Sequence, residues 1–267
     1  MRYAFVGTNL LDMRAKPDFH SERVNQLFFG APVSVTSTRG DYAHVDKPGG
    51  YSGWVRTSLL TPLTVRDYRA ALEQVSAIVR SAGANIYVPD RNRRPEPFFL
   101  YYGTPLNVIS WRGGNARVRL PNGALLRVRQ SCLRRLPSKA TRPLDITGAM
   151  LVKEAKRFLG VPYLWGGVTV AGFDCSGLVQ TVCAQFGLAL PRDTKDQISI
   201  GKEIPREDIR SGDLLFFDRH VGFAMSKQRL IHSSVGGGGV RINALVPNGE
   251  DYREDLDHSF VMARRIV

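Results

Sequence analysis

The sequence predicts an α+β chain in which small all-β modules precede a mixed domain of helices and sheet. Three observations predict it. Short apolar runs, broken by turn residues, fill residues 26–62 and recur between 100 and 128. Two helical patterns then fall within residues 150–186. After them come four strand-like runs between Asp213 and Ile242, so helices precede the sheet and do not alternate with its strands.

In the first module, residues 1–63, the strands are Leu27-Phe28-Phe29, Pro32 to Thr36, Ala43-His44-Val45 and Gly53-Trp54-Val55. Gly30, Arg39-Gly40-Asp41 and Pro48-Gly49-Gly50 separate them. The order recurs as Leu100 to Val108, Ala116 to Leu120 and Ala124 to Val128, a degenerate internal repeat that makes residues 64–137 a second small barrel. Between the barrels, Val65, Tyr68, Leu72, Val75 and Val79 keep helical spacing along one face and predict a short helix. Residues 138–146, preceded by Pro137 and containing Pro143, read as a linker to a domain at 147–267.

That last domain opens with a helix whose face carries Met150, Leu151, Ala155, Phe158 and Leu159 and which Gly160-Val161-Pro162 ends. Asp174 is an N-cap for a second helix, Cys175 to Phe186, closed by Gly187. Asp213 to Phe217, Val221 to Met225, Arg229 to His232 and Gly239 to Ile242 are the strands. Gly236 to Gly239 is a hairpin turn, because no strand-to-helix context makes it a phosphate loop.

At 267 residues and 43% hydrophobic content the chain can bury a full core. No run approaches the roughly 18 apolar residues of a membrane span, so no transmembrane segment is expected. The N-terminus lacks the apolar run and cleavage site of a secretory signal. Three cysteines form neither an even disulfide framework nor a Cys-x-x-Cys pattern, which fits a reducing compartment. The expected location is the cytoplasm; the alternative is an exported protein whose signal has been cut away. Charge is uneven: up to residue 146 there are 22 Lys and Arg against 10 Asp and Glu, and beyond it 15 against 14. Residues 64–137 hold thirteen arginines, no lysine and four acids. In Arg117-Val118-Arg119 and Arg127-Val128-Arg129 each arginine pair faces one side of its strand, a stripe suited to an anionic polymer or to solvent.

The chemistry concentrates at Cys175. A cysteine at a helix start lies beside unpaired N–H groups and the positive end of the helix dipole, and a nearby imidazolium would lower its pKa further. His220 and His232, twelve residues apart on adjacent antiparallel strands, meet across a turn near Lys227-Gln228. One ring can face the sulfur while the other holds its tautomer, the arrangement of a cysteine peptidase or amidase. Cys132 and Cys183 read as packing residues. His20, His44 and His258 lack zinc spacing, so neither metal nor cofactor is expected.

Trp165-Gly166-Gly167, Asp174-Cys175-Ser176-Gly177, Gly212-Asp213-Leu214 and His220-Val221-Gly222 resemble, in order and spacing, the NlpC-type cell-wall cysteine peptidases. The resemblance covers residues 147–267 and implies a papain-like fold with Cys175 as nucleophile, His220 as general base, His232 as the orienting third member and Tyr163 as a stabiliser of the oxyanion. The two barrels resemble bacterial SH3-like domains, the first through Gly50-Tyr51-Ser52-Gly53-Trp54-Val55; the second lacks that aromatic pair. Together the parts are similar to γ-D-glutamyl-L-diamino-acid endopeptidases, which cut murein peptides whose L-Ala amine is free. In that group the first barrel closes one end of the cleft. The resemblance then implies Tyr51 and Asp193 as holders of the substrate ammonium, Glu22 as a second acidic contact, and Trp165, Asp174, Ser176 and Thr194 as further substrate-binding residues. Two departures stand out: Thr194 where the group often has serine, and Phe223 where it has an aliphatic residue.

The expected partner is therefore a murein peptide, with an anionic polymer at the basic barrel and no obligate protein partner. The alternatives are an amidase or acyltransferase on the same fold, and a non-catalytic module that binds cell wall or nucleic acid.

Overall fold

A computed structural model describes residues 1–88, 96–137 and 145–267. Contacts divide the chain into two compact units, Met1–Arg142 and Pro143–Val267. Most of the expected linker, residues 138–144, lies outside the described residues.

In the first unit, residues 3–62 form one seven-stranded antiparallel sheet. Its spatial order is Arg23–Phe28, Leu10–Arg14, Tyr51–Arg56, Tyr42–Lys47, Pro32–Arg39, Tyr3–Val6 and Leu60–Pro62. Tyr3–Val6, Leu10–Arg14 and Leu60–Pro62 go beyond the four runs expected from sequence. Leu10–Arg14 earns its place by period-two alternation, with Leu11 and Met13 turned into a core shared with Ala4, Val33, Ala43, Val45 and Val55.

The second sheet runs Leu125–Arg129, Asn115–Arg119, Pro105–Arg112, Ala77–Val79 and Leu133–Arg135, with a separate hairpin of Gly83–Val88 and Glu96–Tyr101. Ala116, Val118, Leu126 and Val128 point inward, which turns Arg117, Arg119, Arg127 and Arg129 outward. Phe29 belongs to the first barrel by sequence but packs in this second core, its ring 4.5 Å from that of Phe98.

The inter-barrel helix is Val65–Glu73, started by Thr64, whose Oγ1 accepts from the Asp67 N–H at 3.1 Å. Its expected apolar face is not a packing face. The helix stops at Glu73, Val65, Leu72 and Val75 are exposed, and Val79 lies in a core strand. Of the five residues only Tyr68 finds an aromatic partner, stacking on Tyr3 at 4.3 Å.

The second unit is a six-stranded antiparallel sheet in the order Lys202–Ile204, Phe260–Arg265, Leu214–Phe217, His220–Ser226, Arg229–Ser234 and Gly239–Ala244. Leu214–Phe217 is buried at all four positions, as its unbroken apolar run requires of an inner strand. The helix Cys175–Ala184 packs on the two histidine strands and on the helix Gly148–Ala155. That earlier helix tightens into a 3-10 turn at Lys156–Phe158, which buries Phe158 and leaves Leu159 45% exposed rather than on the buried face. Leu215, Phe217, Ala224, Leu230 and Ala263 join Leu256, from the short helix Glu254–His258, in a further core cluster. Among the described residues no helix is long and apolar enough to cross a membrane.

Candidate active site

The start of the cysteine helix is fixed before any chemistry is considered. Asp174 caps it, with Oδ1 accepting from the Gly177 N–H at 2.6 Å, while Oδ2 accepts from the Gly166 N–H at 2.9 Å. The buried Arg192 guanidinium donates to both carboxylate oxygens and, at 2.8 Å, to Ser176 Oγ. Gly177 admits the backbone of the preceding loop: a Cβ there would stand 2.1 Å from the Gly167 carbonyl oxygen. Cys175 is thus held in the first turn by the loop before it and by an arginine from the segment after it.

Cys175 is 9% exposed. Its sulfur lies 3.8 Å from Thr194 Oγ1. Burial pushes the thiol upward and the neighbouring Asp174 carboxylate adds to this; the Thr194 hydroxyl and the backbone N–H groups of Val221 and Ser176 favour the thiolate and do not prevail.

The Cys175 helix packs on the strand that begins at His220. Phe223 opposes Ile231 across the hairpin, which sets Gly222 opposite His232 and His220 diagonally beyond it on the same face. Gly222 is the space this needs, because a Cβ there would stand 2.8 Å from that of His232. His220 Nε2 and His232 Nδ1 are 2.6 Å apart, and His232 Nε2 is 2.8 Å from Asn243 Oδ1. Burial holds His220 far below the usual imidazole range, with His232 and Arg253 adding to it and Asp255 opposing. Burial lowers His232 as well, against the raising effect of the Asn243 hydrogen bond. Burial thus favours the uncharged thiol and the uncharged rings. Desolvation works against the charged thiolate and imidazolium, opposite in sign to the helix terminus.

Residues 160–255 match the NlpC/P60 family and residues 9–61 the bacterial SH3 domain. A γ-D-glutamyl-L-lysine dipeptidyl-peptidase of Bacillus subtilis (strain 168) is 31% identical over 238 residues, spanning 82% of this chain and 75% of the relative. The chain belongs to the NlpC/P60 family. Dipeptidyl-peptidase 6 of Lysinibacillus sphaericus is 27% identical over 95% of both chains. A crystal structure of an NlpC/P60 family protein from Bacillus cereus ATCC 10987 shares the fold, with a TM-score of 0.84 over 99% of each chain at 24% identity. The protein is an α+β NlpC/P60 cysteine peptidase with an N-terminal bacterial SH3 domain.

The other expected residues divide sharply within this NlpC/P60 framework. Tyr163, half-buried, bridges to Phe173; burial above all drives its phenol upward, so it stays an O–H donor. Thr194 touches the sulfur directly. Trp165 is 59% exposed on the loop before the cysteine. Asp174 and Ser176, expected among substrate contacts, are buried with their side-chain oxygens committed to Arg192 and to the loop. Asp193 is the N-cap position of the helix Thr194–Gln197, yet its side chain makes no capping bond. In the first unit, Tyr51 Oη donates to the Val24 carbonyl at 3.1 Å, and Glu22 is exposed, its carbonyl accepting from the Ala15 N–H. Sequence reasoning missed Arg192 and Asn243. Asn243 carried a signal: with His232 opposite Arg241, residue 243 falls on the same face of the next strand.

Proposed function

We propose that this NlpC/P60 protein hydrolyses the γ-D-glutamyl bond to a diamino acid in murein peptides whose N-terminal L-Ala amine is free. The observation that carries the reading is the His220–His232 pair, hydrogen-bonded at 2.6 Å on the two strands against which the Cys175 helix packs. In this reading His220 takes the thiol proton as sulfur attacks the γ-carbonyl carbon. The tetrahedral oxyanion accepts from the Tyr163 hydroxyl, and the diamino-acid amine leaves with the proton held by His220. Water, deprotonated by the same ring, then cleaves the thioester. His232 orients His220, and Asp193 receives the substrate ammonium, because a desolvated ammonium needs a carboxylate. The relatives named as γ-D-glutamyl-L-lysine dipeptidyl-peptidases support this bond as the target.

The test compares cleavage of Ala-γ-Glu-diaminopimelate with that of the same peptide acetylated at its amine, for the intact protein and for Cys175→Ser. Cleavage confined to the free amine and lost in the serine variant is expected; equal cleavage of both peptides, or an active serine variant, refutes the reading.

We also propose a cytoplasmic location, in keeping with a substrate of free peptides, and an anionic polymer as ligand of the second barrel. Arg117 stands directly opposite Arg127, and none of Arg117, Arg119, Arg127 and Arg129 forms an ion pair among the described residues. Like charges in register are unfavourable until an anion neutralises them.

A further inference from the structure

The hydrogen-bond chain that begins at His220 does not end at the second histidine. Asn243 Nδ2 donates to the Asp251 carbonyl oxygen at 2.8 Å. That bond decides which end of the amide meets His232, because a carbonyl oxygen only accepts and must be faced by the NH2 end. The amide oxygen, 2.8 Å from His232 Nε2, can also only accept. The proton of neutral His232 therefore sits on Nε2, and its Nδ1 is bare. Since His220 Nε2 lies 2.6 Å from that bare nitrogen, it carries the proton of its own ring. What remains is His220 Nδ1, unprotonated, as a base for the thiol requires.

The Asn243 amide is itself anchored. Asp251 adopts a φ of 54°, left-handed for a non-glycine residue, and its carbonyl accepts from both Asn243 Nδ2 and the Ala244 N–H. Asn243 is 8% exposed, so water does not readily replace it as the acceptor for His232.

We propose that Asn243 is a positioning residue that sets the tautomers of His232 and then of His220, leaving His220 Nδ1 bare for the Cys175 proton. The inference rests on the reading of Cys175 and His220 as nucleophile and base. It adds a fourth member to the relay and gives the direction of every proton in it.

Asn243→Leu keeps the size and removes the acceptor; Asn243→Asp keeps the acceptor and adds a charge. Histidine tautomers are read from long-range 1H–15N correlations in the peptide-free protein, and Cys175 reactivity from iodoacetamide alkylation. In the wild type both rings should carry their proton on Nε2. Asn243→Leu should mix the His232 tautomers and slow alkylation and kcat/KM about ten- to a hundred-fold. Asn243→Asp should restore the Nε2–H tautomer and most of that rate, and move the acid limb of alkylation to higher pH, because a carboxylate favours the imidazolium. A residue that merely filled space would lower the melting temperature in both variants, leave the tautomers alone, and make the buried charge of Asn243→Asp the worse lesion. That pattern, or an Nδ1–H tautomer on His232 of the wild type, overturns the proposal. Should Asn243→Leu fail to fold, the wild-type tautomers and the aspartate variant still decide. Neither readout needs a peptide: correct tautomers and alkylation in a protein that leaves murein peptides uncut would refute the proposed substrate and spare this inference.

Discussion

Arg192 grips Asp174 through both guanidinium NH2 groups beneath the first turn of the helix that begins at Cys175. Its side chain is 2% exposed and that of Asp174 11%, so the pair is desolvated. Removing one member leaves a buried charge behind. Arg192→Leu should therefore destabilise the protein by about 3–5 kcal/mol, read from urea denaturation midpoints. A loss below about 1 kcal/mol, the surface-pair range, would show that water reaches Asp174.

Thr194 supplies the one side-chain hydroxyl within bonding distance of the thiol among the described residues. Thr194→Val keeps the shape and removes that bond, so the thiol should titrate higher and alkylate about three- to five-fold more slowly at neutral pH. Thr194→Ser should alkylate at the wild-type rate. Equal rates in all three proteins would mean that the backbone N–H groups alone tune the sulfur.

Both rings are held below the ordinary imidazole value, and the sign of the pH effect follows. Below about pH 6.5 the unfolded chain binds protons at these histidines and the folded protein does not, so stability present above that pH is lost as pH falls toward the depressed values. The acid limb of kcat/KM should likewise lie below pH 6.5, since His220 remains a base there. Denaturation midpoints and kcat/KM between pH 4 and 8 measure the two effects. A limb at 6.5 or above contradicts the neutral pair.

Asp193 makes no side-chain capping bond, so Asp193→Asn removes no helix cap. If the carboxylate holds the substrate ammonium, kcat/KM on the free-amine peptide should fall about ten- to a hundred-fold, and the preference over the acetylated peptide should collapse. Alkylation of Cys175 should continue unchanged. An unaltered preference ends the ammonium role.

Tyr51→Phe removes the hydroxyl bond to the Val24 carbonyl and should cost about 1 kcal/mol of stability. A rise in KM for the free-amine peptide is expected beside it. Lower stability with unchanged KM would assign Tyr51 to the barrel alone.

The sequence was most legible where chemistry needs an unusual residue at a fixed place. Cys175 behind an N-capping aspartate, and two histidines one hairpin apart, are local patterns, and the fold brings their groups together. The glycines of the same motifs were legible as spelling but not as reasons; Gly222 is explained only by the His232 Cβ across the hairpin. Arg192 escaped because its partner lies 18 residues back, and an arginine between Pro191 and Asp193 reads locally as a solvated turn. The strand Phe260–Arg265 escaped because only Ala263 is buried along it, which leaves no apolar alternation to detect. The opposing effect of desolvation on the thiol and the rings escaped for a related reason. A helix terminus is visible in sequence, whereas the desolvation that opposes it depends on every chain segment packed around the sulfur and the rings.

Phe29 gives the barrels a common fate. A residue encoded within the first module fills the interior of the second, so cutting the chain between them would leave one product with an exposed aromatic ring and the other with a hole. The boundary drawn by repeat spacing in the sequence is thus not a seam in the folded protein. Shuffling the barrels among relatives would have to carry Phe29 and Phe98 as a matched pair, and evolution of one module is constrained by the interior of its neighbour.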